Sequence, residues 1–348
     1  MDLRRIERLV RSSILATPFR ATNMASHYEI EGREHLEAAL ERRARTGGGL
    51  ITISNHQSLF DDPIVLFQLV SPTHYSVETK AWWSTPCEHN FSPAGSTPKD
   101  RFVRYFSGVS NMVFFERPGK NGNGVRRVDD YAALLARRGG AGLARRVEAA
   151  AAAAGTDAET WLRRFVTTGD VDKLKALNQA GMIEACARVA TGDWLHLFPE
   201  GGRSRTLSLR KPKRGVGKVI YHCPDAQVLP ICFYGMHDVL PVKAALPRPF
   251  KKVVVTVGEP VPASRLDLLR RLPPSAETFQ AVVEAAWESV VALRPNTLVK
   301  YLGPAKAEEL LLAEAPAAYQ PAGEVVGHPT ASSAPSLKSR RSTTARMR

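Results

Sequence analysis

Gly49-Leu-Ile-Thr-Ile-Ser54, followed at once by Asn55-His-Gln-Ser-Leu-Phe-Asp61, Asp62 and Pro63, is the stretch that decides the fold. Its first six residues are mostly apolar and β-branched and read as a short buried strand. Pro63 suits the first position of a helix and Asp62 suits its N-cap, so residues 55–61 form a loop between strand and helix. Outward from this unit the same alternation continues. Arg33–Arg42 and Lys173–Thr191 read as helices, Trp194-Leu-His-Leu-Phe198 as an apolar strand, and Gln227–Tyr234 and Lys252–Gly258 as further strands. A helix over 276–293 would carry Phe279, Val283, Trp287 and Val290 on one face. Strands alternating with helices predict an α/β fold, with chemistry on the loops at strand ends.

The chain has 348 residues, 44% of them hydrophobic, enough to bury a substantial core, which excludes disorder of the whole. Its net charge is +14, which calls for an anionic partner: a phospholipid surface, a nucleic acid or a phosphorylated substrate. The charge is concentrated at the ends. Residues 1–26 carry five arginines against Asp2 and Glu7, and residues 325–348 carry Lys338, Arg340, Arg341, Arg346 and Arg348 with no acid. The body between is only mildly basic, which suits membrane-facing or targeting tails better than a nucleic-acid groove.

Three regions follow: a basic amphipathic segment at 1–26, a folded α/β domain at 27–315 and a disordered basic tail at 316–348. In the first, Leu3, Ile6, Val10 and Ile14 lie at helical spacing among arginines, as in an interfacial anchor, an organelle-targeting segment or a helix packed on the domain. Within the domain, residues 119–182 form a low-complexity helical insertion marked by an alanine run at 149–154 and by arginine pairs. Cys87, Cys186, Cys223 and Cys232 make no C-x-x-C pair and read as free, buried thiols. No apolar run reaches the ~18 residues of a spanning helix. Trp82-Trp83, in a loop after the apolar helix Ile64–Val70, reads as an interfacial aromatic pair.

Four short segments carry polar chemistry. His56 and Asp61 stand five apart after a buried strand; a histidine takes a proton near neutral pH, and a carboxylate on its other nitrogen sets the tautomer. Phe198-Pro-Glu-Gly-Gly-Arg-Ser204 offers glycines for close backbone approach and Arg203 as a phosphate fork. Phe114-Phe-Glu-Arg117 places an arginine at a strand end, and Val228-Leu-Pro230 is a buried strand. Each alone is more simply a cap, a turn, a salt bridge or core. Gly215-Val-Gly-Lys218 looks like a phosphate loop, but Val219 stands where such a loop needs Ser or Thr.

The set in this order is far more specific than its members, and it resembles the glycerolipid acyltransferase superfamily. Within it the nearest likeness is to the phospholipid–lysophospholipid transacylases that remodel cardiolipin in mitochondria, carried by Ser54–Ser58 with Asp61-Asp62-Pro63, Gly192–Gly201, Gly215–Lys218 and Leu229-Pro230 through Pro241. The resemblance implies a mixed sheet flanked by helices. It makes His56 the general base and Asp61 its support, with Asn55, Arg117, Glu200, Gly201 and Arg203 binding the substrate. It implies phospholipids, lysophospholipids and a membrane surface as partners, no nucleic acid, no cofactor, and a peripheral place on a mitochondrial membrane. Two departures bear on detail. Glu116 stands beside Arg117 where these transacylases carry cysteine or a small residue, and Gly202-Arg203-Ser204 follows the wider superfamily, which keeps acyl-CoA open as donor. G-x-S-x-G is absent, so direct attack by the lipid hydroxyl is expected rather than a serine acyl-enzyme. A non-enzymatic basic protein binding anionic lipid or nucleic acid through its tails is the rival class.

Overall fold

The computed structural model describes residues 26–58, 61–70, 83–84, 113, 132, 140–165, 180–204, 206–241, 244 and 247–314. Six strands, β1 His27–Glu31, β2 Leu50–Ser54, β3 Trp83–Ser84, β4 Trp194–Leu197, β5 Gln227–Tyr234 and β6 Lys252–Val257, pair in the order β1-β6-β5-β2-β4-β3. All neighbours are parallel except β5 and β6. The sheet is therefore mixed, and helices lie on both faces, as expected from the sequence. The helices are α1 Arg33–Thr46, a π-helical turn Asp62–Leu66 running into α2 Phe67–Leu69, α3 Gly140–Ala153, α4 Ala158–Arg163, α5 Ala180–Ala190, α6 Arg214–His222, α7 Met236–Val239, α8 Ala263–Arg270, α9 Ala276–Leu302 and α10 Pro304–Glu314.

Successive side chains of a strand point to opposite faces, and the two cores follow that period. Ile51, Ile53, Leu195, Leu197, Val228 and Cys232 face one way, into a cluster with α3, α5, α6 and α9. Leu50, Trp194, Leu229, Ile231, Phe233 and Val255 face the other way, against α1 and the π-helical turn. Local signals place the helix ends. Asp157 caps α4 by accepting from the Thr160 N–H at 2.8 Å, and Ser275 caps α9 by accepting from the Thr278 N–H at 3.1 Å. Cys186, Cys223 and Cys232 are free and buried.

Several elements differ from the sequence expectation. The alanine-rich α3 and the following α4 are part of the main core: Val147, Ala150, Ala151 and Trp161 are fully buried there. Trp83 lies in strand β3 rather than in a loop, while Trp82 falls outside the described residues. So do residues 1–25, 315–348 and Arg117. Helix α9 runs to Leu302, through Pro295, because its packed face continues past residue 293 with Arg294, Thr297 and Leu298, all buried. Gly215–Lys218 is the start of helix α6, not a loop. The glycine at 217 serves packing: a Cβ there would stand 1.8 Å from the Phe279 carbonyl oxygen of α9.

That close approach makes a direct prediction. Gly217→Ala forces α6 and α9 apart and should destabilise the fold by about 1–3 kcal/mol or more, read as a lowered denaturation midpoint. A variant as stable as the parent would contradict the tight α6–α9 crossing.

Candidate active site

Because β2, β4 and β5 are parallel, their C-terminal ends share one edge of the sheet, and the loops that leave them meet there. The loop after β2 carries His56. Residue spacing on a helix would hold His56 and Asp61 apart, but the segment turns before the helix begins, and His56 Nδ1 lies 2.9 Å from Asp61 Oδ2. The same carboxylate accepts the backbone N–H groups of Gln57, at 2.6 Å, and Ser58, at 2.8 Å. Asp61 is buried and the His56 side chain is 18% exposed. A proton on Nδ1 directed at Asp61 leaves the lone pair on Nε2, the arrangement a general base needs. The imidazole stacks on Phe198, with ring centroids 4.0 Å apart and planes at 20°.

The backbone of His56 is held by the loop after β4. Its N–H donates to Glu200 Oε1 at 3.0 Å, and its carbonyl accepts from the Ser204 N–H at 2.7 Å. The other oxygen of Glu200 accepts from the Arg210 N–H at 3.2 Å. Asn55 turns inward as well: its amide donates to the Phe233 carbonyl at 2.7 Å and accepts the Phe233 N–H at 2.9 Å, joining the loop to the end of β5. Asn55 and Glu200 are 2% and 1% exposed, so their polar atoms serve the loops rather than an open substrate surface. Burial is also why Glu200 titrates high, pushed up to about 7 against the pull of the two N–H donors.

Gly201 turns the chain with φ 65°, a left-handed conformation that suits glycine, and a Cβ there would stand 3.0 Å from the Lys213 Cγ. Beyond it, exposed Arg203 lines a cleft of about 410 Å³ together with Ser204, Thr206, Ser208 and Arg210. Among the described residues, Arg203 and Arg210 bring two guanidinium groups to this cleft, which suits an anion. Arg210 was not singled out from sequence, since it lies seven positions on from Arg203 and no fixed spacing marks it.

His196 was also missed, read only as part of an apolar strand. Its ring lies beneath the site, with Nδ1 2.7 Å from Thr52 Oγ1 and Nε2 3.1 Å from Ser54 Oγ. Thr52 in turn accepts from Trp194 Nε1–H at 2.9 Å. Full burial pulls the His196 pKa down to about 3, aided by nearby His56, so the ring is neutral near pH 7. The 3.7 Å approach of Asp62 is then a contact with a neutral ring, not an ion pair. The only sequence signal was a polar residue inside an otherwise apolar strand.

The Acyltransferase family model matches residues 27–234, more than half of the chain and every loop just described. Tafazzin of Drosophila melanogaster is 32% identical over 114 residues, covering 32% of this chain and 30% of that protein. Taffazin of Dictyostelium discoideum is 34% identical over 105 residues, covering 28% and 37%. N-acylphosphatidylethanolamine synthase of Arabidopsis thaliana is 35% identical over 91 residues, covering 24% and 32%. The matched stretches thus span about a third of the length of each of these relatives. Among solved structures, the 1-acyl-sn-glycerophosphate acyltransferase of Thermotoga maritima aligns over 84% of each chain at 18% identity, with a TM-score of 0.43.

The Glu200 bridge predicts a pH dependence. A carboxyl raised from its ordinary 4.5 to about 7 by folding contributes stability that is full below pH 4.5 and is lost as the pH climbs through 7. The loss should approach the order of 3 kcal/mol, since each pKa unit is worth about 1.4 kcal/mol. Melting temperatures from pH 4.5 to 8 should therefore fall for the parent relative to Glu200→Gln, which cannot ionise. A difference between the two that stays constant over this range would defeat the assignment.

Proposed function

The chain belongs to the Acyltransferase family, and from that premise we propose that it transfers a fatty acyl group to the free hydroxyl of a lysophospholipid at a membrane surface. The observation that carries this reading is the His56–Asp61 pair at 2.9 Å, which commits Nδ1 to the carboxylate and leaves Nε2 for the substrate in this proposal. A lipid hydroxyl is a poor nucleophile near neutral pH, so its proton must leave as it attacks. His56 Nε2 takes that proton while the hydroxyl oxygen bonds to the acyl carbonyl carbon. Asp61 stabilises the imidazolium through Nδ1–H. The tetrahedral adduct then expels the donor's oxygen or sulfur, which recovers the proton from His56. The step uses the chain's own side chains and two substrates, and it requires no bound cofactor.

Arg203, with Gly201 giving the backbone room, is assigned to the phosphate of the acceptor, and Arg117 joins it in this proposal. Asn55 and Glu200, placed among substrate contacts on sequence grounds, are now positioning residues: the hydrogen bonds of their side chains go to the backbone of β5 and of the neighbouring loops. The likeness to tafazzins supports a phospholipid as acyl donor, and with it cardiolipin remodelling at a mitochondrial membrane. Among the described residues no helix is long and apolar enough to cross a membrane, so a peripheral attachment is proposed. An acyl-CoA donor is the competing arrangement within the same chemistry.

Mass spectrometry of purified protein incubated with mixed phospholipids and a lysolipid, with and without acyl-CoA, tests the reaction and its donor. Acyl exchange should proceed without CoA; exchange only when acyl-CoA is added would move the chain to the CoA-dependent group. His56→Ala should lower transfer by roughly two to four orders of magnitude with an unchanged circular-dichroism spectrum. Near-parental turnover in that variant would remove His56 from the mechanism.

Arg203→Lys keeps the charge but loses the two-pronged fork. The Michaelis constant for lysolipid should rise several-fold while the maximal rate changes little. An unchanged constant would take Arg203 out of acceptor binding.

A further inference from the structure

We propose that Phe250 is a membrane-docking tip, its ring entering the interface of an anionic phospholipid bilayer beside the active-site edge of the sheet. The proposal rests on the lysophospholipid reading and names the surface from which that site takes its substrate.

Topology puts Phe250 there. Strand β6 runs antiparallel to β5, with Tyr234 opposite Val254, so β6 begins where β5 ends. That edge also carries the loop of His56, since β2 and β5 are parallel. Phe250 lies two residues before β6 and is 83% exposed, the most exposed large hydrophobic side chain among the described residues. It is also the one described non-glycine residue with positive φ, at 60°, a conformation that bulky L-residues rarely adopt. The surrounding backbone holds it there. The Arg248 N–H donates to the Val239 carbonyl at 2.7 Å, and the Lys251 carbonyl accepts the His27 N–H at 2.9 Å. Pro247 and Pro249 stiffen the approach. The fold thus keeps an aromatic ring pointed at solvent in a strained backbone, which no packing within the described residues repays.

Charge selects the partner. Lys252 is paired with Glu29 at 2.9 Å, but Arg248 and Lys251 have no ion-pair partner among the described residues. An apolar ring between unpaired cations matches the boundary between anionic headgroups and acyl chains. Loss of the ring should weaken binding at any salt concentration, whereas loss of the cations should matter only when salt does not screen them.

Flotation of the full chain with cardiolipin-rich vesicles, at low and high salt, tests this. Phe250→Ala should lower vesicle partitioning about tenfold, and Phe250→Trp should keep it. Arg248→Gln with Lys251→Gln should lower partitioning at low salt only. In detergent micelles, Phe250→Ala should transfer acyl groups as the parent does. Parental flotation by Phe250→Ala overturns the proposal, as does Phe250-dependent dimerisation in sedimentation without lipid. If flotation follows Phe250 while even the parent transfers no acyl group in micelles, the docking role stands and the acyltransferase reading fails.

Discussion

Both oxygens of the Glu200 carboxylate are taken by backbone N–H groups, those of His56 and Arg210. Through this bridge the loop after β2 and the loop after β4 become one body. An amide N–H buried without an acceptor costs about as much as a lost hydrogen bond, so each loop needs the other to satisfy its backbone. The Ser204 N–H on the His56 carbonyl closes the second strut, and Asn55 anchors the first loop to Phe233 at the end of β5. With its backbone held from both neighbouring strands, the imidazole has little freedom left, and Asp61 and Phe198 remove the rest.

Under that assembly lies a polar layer inside an apolar sheet. Thr52, Ser54 and His196 fall on the same face because each is two residues from the next polar position on its strand or opposite it in register. The Trp194 N–H enters the chain of bonds at Thr52 and the chain ends with Ser54 donating to the Asn55 carbonyl at 3.0 Å. Burial keeps His196 neutral, so the layer adds no charge below His56. A buried polar network that is satisfied in this way fixes register, since a one-residue slip of β2 against β4 would strand every member of it.

The cleft loop is braced from further along the chain. Arg294 of α9 donates through Nε to the Tyr234 hydroxyl at 3.0 Å and pairs with Glu314 of α10 at 2.7 Å, while Ser208 donates to the same carboxylate at 2.5 Å. Tyr234 reaches the Leu207 carbonyl at 2.9 Å. These contacts seat residues 207 and 208 against α9 and α10. Both helices lie beyond the residues matched by the family model. This loop, which lies within the matched region, is therefore braced by helices outside it, and the buried Arg294 is tolerated because its donors meet a carboxylate, a phenol and a carbonyl.

The alternation of strands and helices was legible from residue order, because burial on a sheet face and on a helix stripe leaves periods that a linear sequence records. So were His56 and Asp61, whose chemistry is evident from residue type and whose meeting needed only a short local turn. The tertiary structure alone decided the rest. Asn55 and Glu200 looked like substrate contacts, yet Asn55 bonds to Phe233 of β5, 178 residues away, and Glu200 to the His56 N–H in the loop after β2, 144 residues away. Gly217 looked like part of a phosphate loop until α9 was seen to pack 1.8 Å from where its Cβ would stand. Arg294 carries no local signature, and His196 only that of a polar residue in an apolar strand, because what makes each of them matter is a distant side chain. Local periodicity is written along the chain, but the direction in which a polar side chain spends its hydrogen bonds depends on what the fold brings opposite it.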